Sequence, residues 1–63
     1  MTTATQALRQ LESQWRDDAR AADYRAQREA IAPGLRVVAS MQARTLRACA
    51  ADLERVMQQV GLA

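Results

Sequence analysis

Apolar side chains recur at steps of three and four along most of the chain. In the first half they fall at Ala4, Leu8, Leu11, Trp15, Ala19, Ala22, Ala26 and Ala30, a spacing that lines one face of an α-helix. In the second half the main stripe is Leu35, Val38, Gln42, Leu46, Cys49, Leu53, Val56 and Val60, flanked by Ala39 and Met57. Ala32-Pro33-Gly34 separates the halves. A residue before proline is biased away from helical dihedrals, proline suits the first position of a helix, and glycine loosens a turn. One continuous helix would carry Pro and Gly in its interior, at a cost of ~3 and ~1 kcal/mol. The pattern therefore predicts an all-α fold with a single helical-hairpin domain over residues 1–63. Helix 1 is expected over about 3–31, the turn over 32–34 and helix 2 over about 35–60.

The ends carry their own signals. Thr3 and Gln6 have the spacing of a capping box, in which each side chain satisfies a backbone N–H at the helix start. Gly61 is a natural C-terminal stop. Glu12 and Arg16, four apart, support helix 1 in the favourable order, and Arg25 and Glu29 do so in the weaker one. Folding the arms back pairs positions whose numbers sum to roughly 67. Leu8 then lies near Val60, Leu11 near Val56 and Trp15 near Leu53, while Ala22 faces Leu46, Ala26 faces Gln42 and Ala30 faces Val38. The expected core is a Leu-Trp seam with a bulky open end, small residues against large ones toward the turn, and Trp15 buried in it.

Composition weakens that core. Of the 49% hydrophobic residues, fourteen are Ala, which favours helix but buries little area. A core this small supplies only ~3–5 kcal/mol, and one cysteine, Cys49, makes no internal disulfide. Completion as a helical bundle, by self-association or by a protein partner, is the remaining route. Tyr24 and Ile31 lie seven apart on the side of helix 1 away from its stripe, and Val37 and Met41 lie off the stripe of helix 2. All four fall at the turn end and are expected to contact a partner. Gln42 interrupts the stripe, where a polar residue either fixes register or reaches water at a rim.

Catalytic chemistry is not expected. The chain has no His and no Lys, and Asp17, Asp18 and Asp23 point in different directions on a helix, as a solvated face would. No cofactor and no metal site is expected, and Cys49 reads as a small hydrophobe on the stripe. The net charge is only +2, but Arg36, Arg44, Arg47 and, more loosely, Arg55 form a row opposite the helix 2 stripe, roughly 28 Å long. An acidic partner or a phosphate backbone is the chemistry such a row would meet. No apolar run approaches the ~20 residues that span a membrane. Met-Thr-Thr-Ala-Thr lacks the charged and apolar regions of a secretory leader, and a lone thiol fits a reducing compartment, so a cytoplasmic location is expected.

The stretch Asp23-Tyr24-Arg25-Ala26-Gln27-Arg28-Glu29 runs from a tyrosine into a Gln-Arg-Glu cluster and then an apolar helix. In this stretch, in size and in helical pattern, about half the chain resembles the small two-helix cochaperones of type III secretion. Ala32-Pro33-Gly34 departs from that pattern, in which a turn is expected before the tyrosine. The resemblance implies a cochaperone or adaptor. The expected function is a small non-enzymatic protein-interaction module, an adaptor, cochaperone or inhibitor. The alternatives are a nucleic-acid-binding helical bundle using the arginine row and a structural subunit of a larger assembly.

Overall fold

The computed structural model describes residues 3–28 and 30–62. They form two helices, α1 over Ala4–Gln27 and α2 over Pro33–Gln59, packed against each other with no strand among the described residues. The hairpin is a slab of 43 × 24 × 11 Å, one helix thick. No described helix is long and apolar enough to cross a membrane.

Each terminus has a local cause. At the start of α1 the Gln6 backbone N–H donates to Thr3 Oγ1 and the Thr3 N–H donates to Gln6 Oε1, at 3.1 and 3.0 Å. This closes the capping box reciprocally. Pro33 is the first residue of α2, where its missing N–H costs no hydrogen bond. Gly34 therefore lies inside the first turn of α2 rather than in the connection. At the far end Gly61 takes a positive φ of 78°. The Leu62 N–H then bonds the Met57 carbonyl at 2.7 Å, and the Gly61 N–H bonds the Gln58 carbonyl at 3.2 Å. That pair of bonds is a Schellman stop.

Helix α1 ends earlier than the expected position near Ile31. Arg28 leaves the helix in an extended conformation, although no Gly or Pro stands there. A longer helix would bond the Ala26 carbonyl to the N–H of Ala30. Arg36 Nε takes that carbonyl instead, at 2.9 Å, so a side chain of α2 caps α1. The expected Arg25–Glu29 pair lies outside the described residues. The register matches the expected pairing to within one helical turn, with Arg25 Nη2 on Gln42 Oε1 and Arg16 beside Glu54.

The core corrects the sequence expectation. Its fully buried residues are Ala19 and Ala22 on α1, and Ala39, Ala43, Ala50 and Met57 on α2. Trp15, Leu46 and Leu53 are only half-buried, while Leu35, Val38, Val56 and Val60 are exposed. The seam of α2 is thus rotated by roughly 75° from the stripe of large residues. The physical reason is the alanine row at Ala39, Ala43 and Ala50: facing Ala19 and Ala22, it lets the backbones approach more closely than Leu or Val would. Cys49, expected in the seam, is exposed.

Candidate interaction surface

The rotation of α2 gives the slab two unlike faces. On one, charged side chains bridge the helices. Arg47 grips Asp23 with both guanidinium nitrogens, Nη1 to Oδ2 at 2.5 Å and Nη2 to Oδ1 at 3.3 Å. Arg16 reaches Glu54 across the seam at 3.3 Å and Glu12 along its own helix at 3.9 Å. The hydrogen bond from Arg47 holds the Asp23 carboxyl below its ordinary value, and the carboxylate in turn raises Arg47. A shallow pocket on this side is lined by Asp23, Ala26, Pro33, Arg36, Val37 and Ser40.

The opposite face is apolar. On α2 the row Leu35, Val38, Gln42, Leu46, Cys49, Leu53, Val56 and Val60 carries no charge over its whole length. On α1 the flanking residues are Leu11, Trp15, Asp18, Ala21 and Arg25, so the charges on this side come from α1 alone. An open groove of about 660 Å³ lies between the two rows in the half of the hairpin nearer the turn, walled by Asp18, Ala21 and Arg25 from α1 and by Val38, Met41, Gln42, Thr45 and Leu46 from α2. Leu35 is 63% exposed and Val60 62%, at opposite ends of the α2 row. The chain exposes 4724 Å² in all, against about 4,000 Å² for a compact monomer of this mass. The excess, roughly 700 Å², reflects the flat, elongated shape of the hairpin.

The residues expected to bind a partner do not converge. Met41 lines the apolar groove and Val37 the shallow pocket on the ionic side. Tyr24 stands on the outer side of α1 with the Arg28 guanidinium 5.4 Å from its ring centre, and Ile31 is half-buried in the turn. The arginine row is largely engaged by the chain itself. Arg36 caps α1, Arg47 holds Asp23 and Arg55 pairs with Asp52 at 2.7 Å. Arg44 is exposed and has no carboxylate partner among the described residues. Among those residues no group of three or more potential metal ligands gathers.

Sequence reasoning named the stripe Leu35–Val60 but pointed it at the wrong neighbour. The signal that would have found its true direction was the parallel alanine row beside it. No family model matches the chain, and no curated protein or solved structure is detectably similar to it.

Proposed function

We propose that the chain is a small, cytoplasmic, non-enzymatic protein-interaction module, of the adaptor, cochaperone or inhibitor kind, that acts by helix–helix packing through the apolar face of the hairpin. One observation carries this reading: the large apolar side chains of α2 line an uncharged row outside the seam. Large apolar side chains left exposed along one row often mark an interface. The hairpin gains little by leaving those side chains in water, and a helical bundle would bury them. Nucleic-acid binding through the arginine row has less support, because three of its four side chains already serve the chain's own groups.

Affinity capture with the tagged chain tests the reading, comparing wild type with Val38→Glu/Val56→Glu. Two buried charges in the face should remove the specifically captured proteins, further copies of the chain included, while the hairpin keeps its helical circular-dichroism signal. Capture of the same proteins by both forms would overturn it. Reversal of Arg44 to Glu should leave capture unchanged. A loss there, combined with steep salt dependence, would favour a polyanion instead.

A further inference from the structure

We propose that the occupant of the apolar face is a second copy of this chain, stacked face to face about a two-fold axis that crosses the helices at mid-height, so that α1 lies antiparallel on α1 and α2 antiparallel on α2. This inference rests on the interaction-module reading and goes beyond it by naming the partner and its orientation.

The argument starts from symmetry. Any isologous interface must be self-complementary about its axis. On α1 the charges beside the groove are Asp18 and Arg25, of opposite sign and two turns apart. Their midpoint falls between Ala21 and Ala22. A two-fold axis there sets Asp18 of each copy opposite Arg25 of the other, making two equivalent ion pairs. On α2 the uncharged row is symmetric about the level of Arg47 and Ala48: Leu35 matches Val60, Gln42 matches Leu53, Leu46 matches Cys49, and Val38 matches Val56 to within a residue. The two midpoints lie within about one helical turn of each other in height, because Arg47 bonds Asp23 and Arg25 bonds Gln42. One axis therefore satisfies both helices.

The rival stacking, α1 on the second copy's α2, fails on charge. It would press Asp18 and Arg25 against a row with no charged residue, leaving both without partners in a desolvated seam. Area suffices for a face-to-face dimer: the 43 × 24 Å face exceeds the ~800 Å² per partner of a standard interface.

Sedimentation equilibrium at low salt and two cross-linking variants provide the test. Wild type should be a dimer. Asp18→Arg sets arginine against Arg25 at both sites, and Arg25→Asp sets two carboxylates together. Each single change should weaken dimerisation about tenfold, and the double exchange Asp18→Arg/Arg25→Asp should restore it to near wild type. Val38→Cys/Val56→Cys in a Cys49→Ala background should oxidise to a covalent dimer. Those two positions stand about 27 Å apart on one helix, so any disulfide joining them is between chains. Rescue by the exchange together with a 38–56 cross-link supports the proposal. A monomer at sub-millimolar concentration overturns it, as does a dimer in which the double exchange is as weak as its parents and no cross-link forms. Neither result touches the interaction-module reading, which falls only if Val38→Glu/Val56→Glu changes no association of any kind.

Discussion

Ala39, Ala43 and Ala50 on the seam and Val38, Cys49 and Val56 on the face beside it belong to the same helix, only about a third of a turn apart. Yet Ala43 and Ala50 are 0% exposed while Val38 and Val56 remain about half open to solvent. Side-chain size and burial are inverted between these two regions. The seam is built mainly of alanines, which let two backbones approach closely, with Met57 the one large side chain buried in it, whereas most of the larger apolar side chains stand on the face, half-buried or exposed. The hairpin is therefore held in shape by one set of residues and leaves another set open to solvent. A surface built this way is altered without melting the fold, and a fold built this way is lost by adding bulk.

The largest expected effect breaks the seam. Ala43→Leu inserts a branched side chain where a methyl group already fills the space. Overpacking of this kind costs ~1–3 kcal/mol, a large share of a ~3–5 kcal/mol core. Thermal melts at 222 nm should show loss of the cooperative transition or a much lower midpoint. Cys49→Leu adds comparable bulk on the exposed face, and the hairpin should tolerate it to within ~0.5 kcal/mol. Equal effects of the two changes would mean that seam and face are not distinct.

Trp15 stands between the regions. It was expected to be fully buried, where truncation costs ~3–5 kcal/mol, but it is half-buried in the hairpin. Trp15→Ala should accordingly cost about 1–2 kcal/mol, in proportion to the apolar area it removes from water. Urea unfolding followed at 222 nm measures this. A loss as large as that of a fully buried aromatic would assign Trp15 to the seam.

How much of this the sequence showed depends on which signal each feature needed. The two arms, the break at Pro33 and the capping box at Thr3 and Gln6 depend on local chemistry, and local chemistry is written in order along the chain. The direction of α2 is not local. Two parallel rows, one of alanines and one of larger residues, compete to face α1, and a reading weighted by side-chain size chooses the larger row. The end of α1 was hidden for a similar reason, because its cap is the guanidinium of Arg36, ten positions along the chain from the carbonyl it binds. The apolar groove was half legible. Met41 was singled out and lines it, but Tyr24, Ile31 and Val37 were grouped with it by nearness to the turn, and height along a hairpin does not specify which face a residue joins.

The two glycines offer a smaller contrast that leaves both seam and face untouched. Gly61 sits at φ 78°, a conformation that costs a residue with a Cβ roughly 1–2 kcal/mol. Gly61→Ala should lower stability by about that amount and fray the end of α2. Gly34 has ordinary helical geometry and nothing within 4 Å of where a Cβ would stand. Gly34→Ala should raise stability by ~0.5–1 kcal/mol. Melting midpoints that move in opposite directions confirm the assignments, whereas a loss at Gly34 would mean that the turn needs its flexibility.

The smallest effect comes from the ionic face and sharpens the comparison from the other side. The Asp23 carboxyl is held below its ordinary value of 3.8, chiefly by the hydrogen bond from Arg47. A carboxyl with a depressed folded-state pKa binds its proton more weakly in the fold than in the unfolded chain. Its contribution is therefore fully present above the unfolded value and is lost as pH falls through the folded one. Both groups are well solvated, with side chains 38% and 45% exposed, so the contribution is modest and screened by salt. Melts between neutral pH and pH 3 at low ionic strength, on wild type and on Asp23→Asn, isolate it. The other carboxylates are common to both proteins and cancel in the difference. The wild-type midpoint should fall more steeply below about pH 4, and added salt should bring the two curves together. Parallel curves would show that Arg47 and Asp23 do not bridge the helices in solution, leaving the alanine seam alone to fix how α1 and α2 meet.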